Sequence, residues 1–134
     1  MMLRSVHGAG AQEVLNVGVS IIDRDRTYPC GVHRYAANVA SALVEGGHKV
    51  YVYTNPSFQM AHFLTQATLD RLAVRRLPLA PDAAVMAQIL HFTSLPRHAS
   101  RDRIDVLHVA NARLFVSPVP SVLTIHDIAE LTIP

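Results

Sequence analysis

The feature that most constrains this chain is the short, branched, largely apolar run Leu15 to Ile22 (LNVGVSII), which gives way at once to the polar stretch Asp23 to Thr27. Such a run keeps no polar face for water, so it reads as a strand buried on both sides. From Val32 the period changes: Val32, Tyr35, Ala36, Val39, Ala40 and Leu43 fall on one helical face, and Gly46 and Gly47 end that helix. Lys49 to Thr54 (KVYVYT) is again strand-like and Asn55-Pro56 closes it. Strand, helix and strand at these lengths make a right-handed crossover unit, in which two parallel strands are joined by a helix packed on the sheet.

The rest of the chain repeats that alternation less regularly. Phe58 to Leu72 fits a short helix or a compact loop, and Ala73 to Leu77 fits a strand. Pro81 and Asp82 open a second helix with Val85, Met86, Ile89 and Phe92 on its apolar side, and Leu95-Pro96 is expected to stop it. Asp105 to Ala110 (DVLHVA) and Ser121 to His126 (SVLTIH) read as two more buried strands, separated by an irregular segment that holds Pro118 and Pro120. The pattern predicts an α/β fold: a Rossmann-like open parallel sheet with helices on both faces. In such sheets ligands sit at the carboxyl ends of the strands, so the residues just after each strand are the ones that carry function.

Composition narrows the class further. Half of the 134 residues are apolar and 16% are charged, against about 25% charged in an average soluble domain, which excludes intrinsic disorder. The length suits one domain; residues 1–14 are expected to form a flexible amino-terminal segment and residues 15–134 the domain. A single cysteine, Cys30, excludes a stapled secreted mini-protein and points to a reducing, cytoplasmic setting. The first sixteen residues lack the apolar stretch of a secretory signal, and no run approaches a membrane span. The net charge is only +2, which gives nucleic-acid binding little support. Eleven of the twelve cations are arginines, loosely grouped at Arg71, Arg75 and Arg76 and at Arg97, Arg101 and Arg103; solvated helix ends and loops account for them, with a site for anionic lipid or phosphate as the alternative.

Two strand ends hold the candidate chemistry. After the first strand, Gly31 stands at the helix start with no Ser, Thr, Asp or Asn in the adjoining cap position. The first helical turn has four backbone N–H groups without internal partners, and with the positive end of the helix dipole they can hold a phosphate; a plain tight turn explains the glycine equally well. After the last strand comes His126-Asp127, and a histidine both donates and accepts near neutral pH, which suits orienting a sugar hydroxyl or stabilising a diphosphate. With eight histidines in the chain a structural role is as good an account. A dinucleotide fingerprint is missing, since Gly8 and Gly10 precede the strand and Gly31 stands alone, and no P-loop sequence exists. Asp23-Arg24-Asp25 resembles a metal-binding aspartate pair, but its flanking arginines compete with an ion. Cys30 and His33 make neither a zinc site nor a nucleophile and base pair.

Taken together these segments resemble a known family. Gly31-Val32-His33-Arg34-Tyr35, continuing AANVASALVEGGHKVYVYT, is similar to the first loop, helix and second strand of the retaining GT-B-fold glycosyltransferases of family 4. PSVLTIHDIAELTIP resembles that family's strand and His-Asp turn in the amino-terminal lobe, and IDVLHVAN its preceding strand, which commonly ends in a histidine or similar polar residue. The resemblance covers nearly everything from Leu15 onward. It implies the acceptor lobe of a transferase that moves a sugar from a nucleotide-sugar donor to a sugar or lipid acceptor, with retention at the anomeric carbon. By carry-over His126 is the catalytic residue at the donor sugar or phosphate, Gly31 approaches the diphosphate, and Arg34, Tyr35 and Asp127 bind substrate. No metal or other cofactor is implied.

Two departures qualify the match. The family often has a second glycine where His33 stands, and the sequence ends at Pro134, before the carboxyl-terminal lobe that grips the nucleotide; two lobes need roughly 300 residues. The expectation is therefore an incomplete amino-terminal lobe of a GT-B fold that transfers no sugar by itself. Its partner is the missing lobe or another chain, and peripheral membrane contact stays open. The alternative is a non-catalytic Rossmann-like module that binds a partner or a phosphate ligand.

Overall fold

In a computed structural model of the chain, residues 11–22, 31–54, 59–77, 84–110 and 117–126 are described. They form β1 (Asn16–Ile21), α1 (Gly31–Glu45), β2 (Lys49–Thr54), a 3-10 turn (Met60–His62), α2 (Gln66–Leu69), β3 (Leu72–Arg76), α3 (Ala84–Arg101), β4 (Val106–Val109) and β5 (Ser121–Leu123). The five strands lie in the order β3-β2-β1-β4-β5 and every pairing is parallel. The expected fold class holds: this is a Rossmann-like α/β sheet with a helix layer on each face.

The layers follow from strand alternation, which sends successive side chains to opposite faces. On one face Val19, Ile21, Val50 and Val52 pack against Ala36, Ala37, Ala40 and Val44 of α1. On the other, Tyr51, Tyr53, Leu107 and Val109 pack against Leu95 and Ala99 of α3. Gly18 is a close approach in the second layer, because a Cβ there would lie 2.9 Å from Leu107 Cδ1 and 3.0 Å from the Tyr53 ring. The helix α1 ends where glycines were expected to end it. Gly47 takes φ +86, Gly47 N–H donates to the Val44 carbonyl and His48 N–H to that of Leu43, the paired bonds of a left-handed helix stop.

Four expectations need correction. The stripe of α1 that is buried consists of His33, Ala36, Ala37, Ala40 and Val44, whereas Val32, Tyr35, Val39 and Leu43 are only partly covered. Alanines bring the helix axis close to the sheet, so the larger residues are displaced to its flanks. Leu95-Pro96 does not stop α3, which runs on to Arg101. A proline inside a helix removes one backbone bond and strains the preceding turn. Here Leu95 and Ala99, both fully buried, anchor the helix on either side of it, and tertiary packing outweighs the local penalty. The early part of α3 presents Val85 and Ile89 to solvent instead of to the core; the side chains of Met86 and Phe92 lie outside the described residues. Finally, β5 is not a buried strand. It is three residues long at the sheet edge, and Val122 and Leu123 are exposed. Of the stretch Phe58 to Leu72, residues 59–71 prove to be both alternatives, a 3-10 turn followed by a single turn of α2 capped by Thr65, whose hydroxyl accepts from Thr68 N–H, and Leu72 already opens β3.

The far end of α3 is tied to the sheet by one polar junction. Tyr53 Oη donates to Asp102 Oδ2 at 2.9 Å, and the Arg75 guanidinium meets both carboxylate oxygens at 3.2 and 3.1 Å. Burial raises the Asp102 pKa, but the bonds from Arg75 and Tyr53 and the Arg75 charge outweigh it and hold the carboxyl below its ordinary range. Burial and the neighbouring carboxylate push the Tyr53 phenol well above its ordinary range. Because the Asp102 pKa is lower folded than unfolded, its stabilisation is complete above about pH 4 and is lost as the pH falls through the folded value. Asp102→Ala leaves the buried Tyr53 hydroxyl with only its longer, 3.5 Å bond to the His98 carbonyl. It is expected to destabilise the domain by roughly 2 kcal/mol at pH 7 in urea melts, and the gap from wild type is expected to narrow below pH 4.

Candidate functional site

The strand order reverses between β1 and β4, since the chain moves outward through β2 and β3 on one side and through β4 and β5 on the other. At such a switch point the connections leave in opposite directions and a crevice opens beyond the carboxyl ends of the strands. The register puts Val19, His108 and Val122 side by side. Beyond them Ala110 N–H donates to the Ser20 carbonyl and Thr124 N–H to that of Val109, so the ladder extends past β4 and β5 to this rim.

Alternation turns His108 toward the α1 face, level with Val19, while its neighbours Leu107 and Val109 enter the opposite core. His108 is buried, and its Nε2 lies 2.7 Å from Thr124 Oγ1. The Tyr35 hydroxyl, reaching out from α1, lies 3.1 Å from the same oxygen. A hydroxyl can accept from one neighbour and donate to the other, so Thr124 satisfies both. Two residues further on, His126 donates through Nε2–H to the Ala110 carbonyl. The Tyr35 ring stands edge-on to His126 at 4.8 Å between centroids, with 83° between the planes, and edge-on to His108 at 5.8 Å. Burial first, and then the nearby His126, lower the His108 pKa, so at neutral pH its imidazole is uncharged.

The expected site residues fare differently. Tyr35 and His126 are brought into ring contact. Gly31 begins α1 four residues before Tyr35, one turn away on the same helical face, and is exposed, with nothing within 4 Å of where a Cβ would stand. Arg34 is exposed on α1; adjacent helical residues do not share a face, so it and Tyr35 point differently. His33 is buried on the sheet side of the helix. Asp127, Cys30 and the Asp23-Arg24-Asp25 segment lie outside the described residues. Two members of the cluster were not singled out from the sequence. His108 is the polar residue within the apolar strand DVLHVA, and Thr124 precedes His126 by two, the spacing that puts extended residues on one face.

Fold and site together define a doubly wound α/β domain whose polar residues collect at the carboxyl ends of the strands beside the topological switch point. The chain belongs to Glycosyltransferase Family 4, whose family model matches residues 29–133, from just before α1 to beyond His126. No curated protein matches the sequence. The architecture is consistent with the amino-terminal lobe of a GT-B glycosyltransferase. Among the described residues no helix is long and apolar enough to cross a membrane, and no three or more His, Cys, Asp or Glu side chains gather as a metal site would require.

The lowered His108 pKa sets a pH signature. A histidine whose pKa is depressed by folding contributes stability that is fully present above about pH 6.5, the unfolded value, and that is lost as the pH falls toward the folded one. Wild type is therefore expected to lose more stability between pH 7 and pH 5 than His108→Gln, whose side chain keeps a partner for Thr124 without titrating. Denaturant melts at the two pH values measure the difference.

Proposed function

We propose that this domain works in the transfer of a sugar from a nucleotide-sugar donor to a sugar or lipid acceptor, with retention of configuration at the anomeric carbon. The observation that carries the reading is the meeting of His126, Tyr35 and the opening of α1 at the switch-point crevice. In this reading the N–H groups and dipole of the first turn of α1 receive the donor diphosphate, and Gly31 lets the phosphates approach because no Cβ stands in the way. His126 contacts the donor sugar or phosphate beside the bond that breaks, while Arg34, Tyr35 and Asp127 bind substrate. Backbone donors and cationic side chains stabilise the leaving diphosphate, so the chemistry requires no metal or other cofactor. A second lobe or partner chain closes the cleft over the donor. The proposed setting is cytoplasmic, with peripheral contact to a membrane where the acceptor is a lipid and with no nucleic-acid partner.

The test is sugar transfer by the protein that carries this sequence, with UDP-glucose and GDP-mannose as donors. His126→Ala is expected to lower kcat by about 100-fold, the lower end of what a positioned acid, base or hydrogen-bonding group contributes. Gly31→Val is expected to weaken donor binding about tenfold or more by obstructing the phosphates, while the unfolding midpoint stays close to wild type because the Cβ position is open. Proton NMR of the product's anomeric centre reads retention directly. Wild-type turnover in His126→Ala would sink the assignment.

A second reading is favoured by one observation, the exposure of Val122, Leu123 and Ile125 along and just beyond the edge strand β5. Edge strands with apolar side chains invite pairing with another chain, so a non-catalytic interaction module is the competing proposal. It predicts concentration-dependent association in sedimentation, which Val122→Lys abolishes.

A further inference from the structure

Thr124 holds the one hydroxyl of the cluster that touches two elements at once, β4 through His108 and α1 through Tyr35. It precedes His126 by two residues on the same segment, and His126 in turn bonds to Ala110, two residues beyond His108 on β4. The result is two cross-rungs between neighbouring chain segments, His108 to Thr124 and Ala110 to His126. Tyr35 braces both: its hydroxyl bonds the first and its ring edge meets the second. This arrangement matters because β5 is short and exposed, so its backbone ladder alone gives the residues that follow little rigidity. With Nε2–H committed to the Ala110 carbonyl, a neutral His126 offers Nδ1 as an acceptor, and the direction in which Nδ1 faces depends on how firmly the segment is held.

We infer that His108, Thr124 and Tyr35 are positioning residues for His126: a side-chain relay centred on the Thr124 hydroxyl fixes the rotamer and Nε2–H tautomer of His126. The relay rests on the functional reading above only for its purpose; the orientation of His126 is a property of the chain that is measured without any donor. Four groups surround His126: the Tyr35 ring from α1, His108 on β4, the Ala110 carbonyl just beyond β4, and Thr124 on its own segment. Among the described residues a titratable group beside it is His108, whose pKa is lowered by burial and then by the nearby His126. A neutral His108 places no positive charge beside His126, and its own Nε2 shares one hydrogen with Thr124.

The experiment is long-range proton–nitrogen NMR of the histidine rings at pH 7.5 in wild type, Thr124→Val, Thr124→Ser and Tyr35→Phe, with donor titration of the same samples. In wild type the His126 ring is expected to show one tautomer, protonated at Nε2, and proton shifts displaced by the adjacent Tyr35 ring. Thr124→Val keeps the side-chain shape but removes the hydroxyl. It is expected to move both signatures toward those of a solvent-averaged histidine, and Thr124→Ser to restore them. Tyr35→Phe keeps the ring and loses only the hydroxyl, so it is expected to give a partial loss. UDP-glucose or GDP-mannose binding is expected to weaken about tenfold in Thr124→Val and to recover in Thr124→Ser, in line with the sensitivity of a site to small misplacement. Unaltered His126 resonances in a folded Thr124→Val protein would overturn the relay. Altered resonances together with wild-type donor binding in His126→Ala would leave the relay standing and remove the functional reading instead.

Discussion

The two ladders that hold β1 between β2 and β4 are the constraint from which the rest of the structure follows. Six residues of β1 pair with β2 and four pair with β4, all parallel, so both edges of β1 are committed and its side chains must serve two cores. Gly18 permits this. With Leu107 and Tyr53 already close to where its Cβ would lie, a larger residue would force the α3 layer away from the strand, and overpacking of that kind typically costs 1–3 kcal/mol. The same central placement creates the reversal of strand order, and the reversal creates the crevice. Gly18 thus makes room for the second layer on the strand beside which the order reverses.

That much of the molecule was legible because the signals were local and strong. LNVGVSII has one sensible fate, the glycine pair after α1 ends a helix for stereochemical reasons, and alternation of strand and helix limits the topology to a few choices. The misreadings share one origin, which is that tertiary contacts decided matters on which the local signal pointed elsewhere. Pro96 is a helix breaker by its own chemistry, yet Leu95 and Ala99 are both sunk in the core and carry α3 through it. The apolar character of SVLTIH suggested burial, but burial depends on what lies beside a strand, and β5 lies at an edge. The candidate site was legible in part for the same reason. His126 and Gly31 follow strand ends and can be picked from spacing. His108 and Thr124 matter because of each other, across 16 residues of sequence, and no spacing rule links them.

The two ends of the molecule use polar groups in opposite ways. Where α3 meets the sheet, an aspartate is held charged by a guanidinium and a phenol, and its role is to fasten a helix whose early turns expose apolar side chains. At the crevice the polar groups are neutral at pH 7 where they are buried, as His108 is, and bonded through hydroxyls and a backbone carbonyl. Among the described residues this lining carries no carboxylate, a condition under which the exposed first turn of α1 attracts an anion more strongly.

The edge strand makes this arrangement economical in residues. β5 pairs with β4 over only three positions, and its side chains add little burial, so the segment leading to His126 would fray if the backbone ladder were its only tether. The bonds from Thr124 to His108 and from His126 to Ala110 continue the pairing by side chains where the backbone ladder gives out. The groups that shape the crevice therefore also close the sheet at that edge. Stability of the edge and orientation of His126 are then coupled quantities: any substitution that loosens one disturbs the other.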